Sequence, residues 1–174
     1  SSVGLLLATP VLLGSIVRVP IGMLTDKFGG RRVFSILLLF GFFPMFIASF
    51  AHSYGFLLFC GFFFGLVGTS FAIGIPQVSQ WYPKEKQGLA LGIYGVGNIG
   101  SAFATFGAPI LVESIGWHKV FMVYSIPLLF MAVIYWFLSA DAPKPANAKT
   151  STFSDKLKVY KSSNLIWVFS LFYF

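Results

Sequence analysis

Five apolar stretches, each long enough to cross a lipid bilayer as a helix, dominate this chain of 174 residues. We predict these membrane-spanning helices at Ser2–Leu24, Val33–Ala51, Phe56–Trp81, Gly88–Val112 and Val120–Ala140. A further apolar stretch begins at Leu165. Runs such as Ile36–Phe43 do not alternate apolar and polar residues, as the strands of a membrane β-barrel would. The pattern therefore predicts an all-α polytopic membrane protein.

The amino-acid composition favours the same class. Hydrophobic residues make up 57% of the chain and charged residues 10%, whereas a typical soluble domain is about 45–50% apolar and about 25% charged. So few charged side chains cannot cover the outside of a water-soluble core. Residues 1–24 have neither a basic n-region nor a small-residue cleavage site, so they do not resemble a signal peptide. Because the chain begins and ends within apolar runs, we expect it to be a piece of a larger protein.

Lysine and arginine are concentrated in alternate connections between the predicted spans. Three such connections hold 10 of the 12 basic residues, namely Lys27, Arg31, Arg32, Lys84, Lys86, Lys144, Lys149, Lys156, Lys158 and Lys161. The opposite side holds Lys119. By the positive-inside rule, the basic loops lie in the cytoplasm and the spans cross the inner (plasma) membrane. The membrane topology thus explains the net charge of +7. The sequence contains no basic patch with interspersed aromatic residues, so nothing in it indicates a nucleic-acid partner.

One basic residue, Arg18, lies inside the first predicted span. Asp26 follows it by eight residues, or about 12 Å along a helix, so Arg18 lies near the middle of a hydrocarbon layer about 30 Å thick if Asp26 marks its surface. A charge at that depth costs about 2.5–3.5 kcal/mol on insertion scales. The five predicted spans contain no Asp or Glu that could pair with it. Arg18 is therefore either a residue that snorkels or pairs elsewhere, or an anion-binding residue.

The fourth predicted span is rich in glycine. One side of the helix carries Gly88, Gly92 and Gly95, and the roughly opposite side carries Gly97 and Gly100. Small residues let neighbouring helices approach closely, so we expect these glycines to serve helix packing and conformational change, or tight packing alone. Asn98 lies among them, and an amide inside lipid needs a hydrogen-bond partner or a ligand.

The remaining features define three regions and exclude some chemistry. We expect a helical region at 1–140, a Pro- and Lys-rich cytoplasmic linker at 141–164, and the start of another helix at 165–174. His52 and His118 are isolated near span ends, without metal-ligand spacing. The sequence contains no nucleophile elbow and no carboxylate pair. We therefore expect no metal, no cofactor and no enzymatic activity.

The turn from Gly22 to Arg32, Gly-Met-Leu-Thr-Asp-Lys-Phe-Gly-Gly-Arg-Arg, resembles the signature between helices 2 and 3 of the major facilitator superfamily. The resemblance implies twelve helices in two six-helix halves, with this chain running from helix 2 to the start of helix 7. In that family the turn helps to hold the two halves in the outward-facing state. The matching residues are Gly22, Asp26, Gly29, Arg31 and Arg32.

A narrower resemblance is to the nitrate/nitrite porter family. It rests on Arg18, on the segments Gly68–Ala72 and Trp81–Gly88, and on the glycine-rich helix that contains Asn98. That family binds its anion between one arginine from each half. The resemblance implies that Arg18, Phe71 and Asn98 bind the substrate, and that Tyr173 matches a helix-7 tyrosine. The second arginine would lie in helix 8, beyond this chain.

These resemblances imply a secondary active transporter of nitrate, nitrite or both, which works by rocker-switch alternating access. Since the predicted spans hold no proton-carrying Asp or Glu, we favour nitrate/nitrite exchange over proton symport. The expected partners are a small inorganic anion and membrane lipid, and the expected state is a monomer. Alternatives are a transporter of another small anion such as a monocarboxylate or oxalate, a channel, or a membrane-embedded enzyme.

Overall fold

The computed structural model describes residues 2–142, with the side chains of residues 4–142. Within this range the backbone forms seven α-helices and one 3₁₀ segment, Gly65–Thr69, which joins α3 to α4. The helices are α1 (Ser2–Phe28), α2 (Gly30–Ala48), α3 (Tyr54–Phe64), α4 (Ser70–Trp81), α5 (Lys84–Val96), α6 (Ile99–Ile115) and α7 (Trp117–Leu138). Nearly all of the predicted linker, the predicted helix start at 165–174 and Tyr173 lie outside the described residues.

Five helical segments of the described chain are long and apolar enough to cross a membrane: Gly4–Phe28, Gly30–Ala48, Tyr54–Trp81, Lys84–Ile115 and Trp117–Leu138. These segments confirm the five predicted spans, with ends that differ by several residues. The first span continues to Phe28 and the second begins at Gly30, because the charged residues of the turn remain helical. Gly29 alone separates the two helices. Its φ of 92° is a backbone conformation that residues other than glycine rarely adopt.

The third span is not a continuous α-helix, because its middle tightens into the 3₁₀ segment. This segment crosses α1 where glycines remove the side chains from both backbones. A Cβ atom on Gly14 would lie 2.7 Å from the carbonyl oxygen of Gly65, and a Cβ atom on Gly65 would lie 2.6 Å from the Cα atom of Pro10. The two backbones are therefore in direct contact, and neither glycine has space for a side chain.

The fourth span also has an interruption, at Gly97 and Asn98, between α5 and α6. The amide of Gly97 donates to the carbonyl of Tyr94 at 3.1 Å, and the amide of Asn98 donates to Gly95 at 3.0 Å. These hydrogen bonds connect residues three apart, as in a 3₁₀ helix. The backbone is thus wound more tightly at this point, and α5 and α6 still form one helical segment, Lys84–Ile115.

Packing among the described helices is uneven. α2 packs extensively along α7, and both helices bury small residues, such as Ser35 of α2 and Ser125 and Ala132 of α7. α5 packs on α4 and α6 packs on α7, but neither α5 nor α6 contains a residue that the described chain buries. The packed core therefore lies among α1, α2, the third span and α7, with α5 and α6 at its edge.

Candidate functional site

Arg18 lies one helical turn beyond Gly14, on the same face of α1. Because Gly14 touches the backbone of Gly65, this face of α1 is turned towards the third span. The Arg18 side chain is half-buried. Its Nε atom is buried and makes no hydrogen bond within the described part of the chain, although the residue has other interactions in the protein. The contact between α1 and the third span thus leaves the Arg18 side chain partly buried.

Phe71, in the first turn of α4, contacts Tyr94 of α5. The two ring centroids are 5.5 Å apart and the rings are inclined at 78°, an edge-to-face arrangement. The Tyr94 ring also lies over Gly74, where a Cβ atom would come within 2.9 Å of its Cε2 atom. Tyr94 was not among the residues predicted to form the site. Its sequence signal is an aromatic residue one turn before Asn98 within a glycine-rich helix.

Asn98 lies in the tight turn between α5 and α6, and its side chain is exposed within the described chain. α5 returns antiparallel to α4, since Gln87 hydrogen-bonds to the carbonyl of Ser79 and Tyr94 lies over Gly74. Asn98 follows Tyr94 by one helical turn, and it therefore lies closer than Tyr94 to the level of the 3₁₀ segment that precedes α4. This places it at about the depth of Phe71.

The predicted substrate residues lie at similar depths along their helices. α1 and α4 run in the same direction. Gly14 of α1 contacts Gly65, which precedes α4, and Gly30, which follows α1, contacts Gln77 further along α4. Arg18 lies four residues beyond Gly14, or about 6 Å at 1.5 Å per residue. Phe71 lies six residues beyond Gly65, or about 11 Å, because the 3₁₀ segment rises about 2.0 Å per residue. Arg18, Phe71 and Asn98 therefore lie in one layer of the bundle, about one helical turn thick. Tyr173 lies outside the described residues, and the substrate roles of all four residues stay predictions.

Most glycines of the fourth span face open space within the described chain, whereas a Cβ atom on Gly107 would lie 3.2 Å from the Tyr124 hydroxyl. No described atom lies within 4 Å of the position that a Cβ atom would take on four of them: Gly88, Gly92, Gly95 and Gly100. A Cβ atom on Gly97 would meet the carbonyl oxygen of Tyr94 in its own helix, at 3.1 Å. Apart from the contact at Gly107, the other described helices do not pack on these glycines, so their role in packing and conformational change stays a prediction.

The turn between α1 and α2 is supported by the end of α7. The Asp141 carboxylate accepts a hydrogen bond from the backbone amide of Arg31 at 2.8 Å. The Arg31 Nε atom donates to the carbonyl of Trp136 at 2.7 Å, and its guanidinium lies 5.6 Å from the centre of the Trp136 ring. A Cβ atom on Gly29 would lie 2.7 Å from the Asp141 carboxyl carbon. Asp141, predicted only as the first residue of a linker, therefore caps the N-terminus of α2.

The other predicted residues of this turn are more open. Gly22 has no described atom within 4 Å of a Cβ position. Asp26 and Arg32 are exposed within the described chain, and Asp26 does interact with other residues of the protein. Of the five residues of the signature, Gly29 and Arg31 thus make the contacts that join the turn to α7.

We expect replacement of Asp141 by alanine to destabilise the protein by about 1 kcal/mol, because α2 loses a carboxylate that satisfies a free amide and complements the helix dipole. Asp141→Asn is the matched control, since its amide oxygen can still accept the hydrogen bond from Arg31. Thermal unfolding of the full-length protein in detergent measures both variants. Equal unfolding temperatures for Asp141→Ala and the wild type would contradict the capping role.

A buried glutamine joins three helices at the same end of the bundle. Gln77 of α4 accepts a hydrogen bond from the Tyr135 hydroxyl at 2.5 Å and lies 3.3 Å from the Ser139 hydroxyl, to which its amide donates. Its side chain also lies against Gly30, where an added Cβ atom would require Gln77 to move. Gln77 was not predicted, although a polar residue within an apolar span is the signal that could have identified it.

At the opposite end, the structure corrects one sequence interpretation. His52 and His118 are not isolated, since their ring centroids are 5.9 Å apart and His118 Nε2 lies 3.1 Å from the carbonyl oxygen of Ala51. Helix packing brings them together because the loop after α2 meets the start of α7. Two imidazoles are fewer than the protein ligands of a zinc site, and no group of three metal-ligating side chains occurs within residues 2–142.

Comparison with known proteins places these features in a family. A family model described as Major Facilitator Superfamily matches residues 1–174. The chain is similar to the nitrite extrusion protein of Bacillus subtilis (strain 168), with 38% identity over 172 residues, or 99% of this chain and 43% of that protein. It is also similar to the probable nitrate transporter NarT of Staphylococcus epidermidis, with 40% identity over 174 residues, 98% of this chain and 44% of that protein.

A third relative is the probable nitrate transporter NarT of Staphylococcus carnosus (strain TM300), 38% identical over 164 residues, which are 92% of this chain and 42% of that protein. The chain thus spans less than half the length of these relatives. Its five apolar helical segments make it part of a multi-pass membrane protein. Since the family model matches the chain throughout its length, the chain belongs to the major facilitator superfamily.

Proposed function

We propose that this chain is part of a secondary active transporter that carries nitrate, nitrite or both. In this proposal residues 1–140 form helices 2–6 of the N-terminal half, residues 141–164 the linker between halves, and residues 165–174 the start of helix 7. The names of the relatives, a nitrite extrusion protein and two probable nitrate transporters, support the substrate class. The chain's match to 42–44% of their lengths agrees with one half of such a protein.

The observation that carries the proposal is the depth shared by Arg18, Phe71 and Asn98. Nitrate is a planar monoanion whose oxygens match the fork of donors on a guanidinium group. A partly buried arginine in turn gains from an anion that offsets its desolvation. In our proposal Arg18 binds the anion from one side, an arginine beyond this chain binds it from the other, and Asn98 supplies an amide donor.

Transport in this proposal follows alternating access around a site near the bilayer midplane. The turn with Gly22, Asp26, Gly29, Arg31 and Arg32 lies on the cytoplasmic side of the inner membrane and helps to hold the outward-facing state. The open glycine faces of α5 and α6 give the other half of the protein a smooth surface to move against. The acidic residues Asp26, Glu85, Glu113 and Asp141 lie at helix ends or beyond them, which supports nitrate/nitrite exchange over proton symport. In our proposal the transporter is a monomer.

Counterflow with the purified full-length protein in liposomes tests the function. We expect external nitrate to accelerate the efflux of labelled nitrite, with saturation, and both anions to be recovered chemically unchanged. Formate and oxalate should compete weakly. Strong displacement by these organic anions but not by nitrate would instead support a transporter of another small anion, and an uncoupled, non-saturating conductance would support a channel.

A further inference from the structure

We propose that Tyr94 is a positioning residue for the substrate site: it fixes the orientation of the Phe71 ring and the spacing between α4 and α5. The inference rests on the proposed function, because Phe71 and Asn98 matter here as groups that contact the anion. Tyr94 itself is assigned no contact with the substrate.

The first part of the argument is the ring geometry. Phe71 and Tyr94 meet edge to face, with centroids 5.5 Å apart and an angle of 78° between the rings. This is a preferred arrangement of two aromatic rings, because the positive edge of one meets the negative face of the other. An unsupported phenylalanine could rotate about its side-chain bonds. The contact with Tyr94 restricts Phe71 to one orientation.

That orientation matters for an anion. The edge of an aromatic ring carries partial positive charge and attracts an anion, whereas its face carries partial negative charge and repels one. A phenylalanine beside nitrate therefore assists binding only if its edge is turned towards the anion. A residue that fixes the Phe71 ring would thus affect substrate affinity without touching the substrate.

The second part of the argument is the space that Gly74 leaves for Tyr94. Phe71 and Gly74 are three residues apart and lie on the same face of α4. A Cβ atom on Gly74 would overlap the Tyr94 hydroxyl and lie 2.9 Å from its Cε2 atom. The Tyr94 ring therefore rests on Phe71 at one end and in the space above Gly74 at the other. This two-point contact sets how far α5 lies from α4.

The third part is the position of Asn98, which follows Tyr94 by four residues and so lies about one turn further along the fourth span, just beyond α5. Because the local helix tightens at Gly97 and Asn98, a shift of Tyr94 would also displace the Asn98 amide. Tyr94 thus connects the two groups that, with Arg18, form the proposed substrate layer. Loss of its ring should weaken nitrate binding more than it slows translocation.

Three variants of the full-length protein test this role by nitrate-dependent counterflow. Tyr94→Phe keeps the ring and should leave the KM for nitrate within about twofold of the wild type. Tyr94→Leu removes the ring and should raise the KM about three- to tenfold with little change in kcat. Gly74→Ala should raise the KM similarly, because its Cβ atom displaces the Tyr94 ring.

Tyr124→Leu is the matched control. Tyr124 also joins two helices, since its hydroxyl lies 3.3 Å from the carbonyl oxygen of Ala104 and donates to it, but it is on α7 and does not contact Phe71. Its loss should lower the unfolding temperature without raising the KM. If Tyr94→Leu does not fold, Gly74→Ala decides the question.

An unchanged nitrate KM in folded Tyr94→Leu or Gly74→Ala protein would overturn the inference. A KM in Tyr94→Phe as high as in Tyr94→Leu would also overturn it, since the hydroxyl rather than the ring would then be responsible. These outcomes differ from failure of the proposed function, in which the wild-type protein itself would show no nitrate or nitrite counterflow.

Discussion

Replacement of Arg18 by lysine is expected to lower nitrate uptake at least about tenfold at low nitrate concentration, while the protein stays folded. Lysine keeps the positive charge but loses the planar fork of donors that can bind two oxygens of one anion. Hydrogen bonds to charged groups contribute about 1.5–3 kcal/mol each, so loss of one such bond lowers the affinity by at least about tenfold. Uptake of labelled nitrate into liposomes that contain the full-length variant measures the effect.

The control for this experiment is Lys119→Arg, an exchange between the same two cations at an exposed position in the first turn of α7. It should transport nitrate at the wild-type rate. Both variants should give monodisperse protein with wild-type unfolding temperatures, which separates loss of binding from loss of fold. Near-normal uptake by Arg18→Lys would show that Arg18 does not bind the anion.

Replacement of Gly65 by alanine is expected to be the most destabilising of the substitutions considered. The new Cβ atom would overlap the backbone of Pro10, including its Cα atom at 2.6 Å and its carbonyl carbon at 2.7 Å. Backbone atoms cannot move aside by a change of rotamer, so α1 and the 3₁₀ segment would have to separate. Overpacking of this kind costs about 3 kcal/mol. Thermal unfolding in detergent measures the loss.

Gly68→Ala provides a control within the same 3₁₀ segment, because no described atom lies within 4 Å of a Cβ atom at that position. It should be as stable as the wild type or slightly more stable, since alanine loses less backbone freedom than glycine on folding. If Gly65→Ala unfolds at the same temperature as Gly68→Ala, the backbone contact between α1 and the third span does not stabilise the protein.

The membrane spans could be predicted from the sequence because an apolar run of about 20 residues has few alternatives in a bilayer. The breaks inside them could not. Gly65–Thr69 and the turn at Gly97 and Asn98 have the same apolar and glycine-rich composition as the helices around them. Hydropathy does not distinguish an α-helical from a 3₁₀ hydrogen-bond pattern, since both satisfy the backbone within the segment.

Two residues of the candidate site stand out in the sequence by their own chemistry, whereas Phe71 was predicted only from the resemblance to the nitrate/nitrite porter family. Arg18 and Asn98 are polar groups in apolar helices, and that cost alone singled them out. The support around them depends on which helices are neighbours, and a single sequence does not specify this. Asp141 follows the last predicted span and precedes a Pro-rich stretch, so it was placed in a linker, yet its carboxylate caps a helix that begins more than 100 residues earlier.

The fourth span has a consequence for how the protein is made. Of the five described spans, Lys84–Ile115 has the lowest mean hydropathy and none of its most apolar window is buried by the other described helices. Its glycines, Asn98 and several small residues reduce the free energy gained when the translocon releases a segment into lipid. A single added charge would prevent the insertion of this segment before it affected the others. The surface proposed for transport thus belongs to the described span with the least hydrophobic driving force for insertion during synthesis.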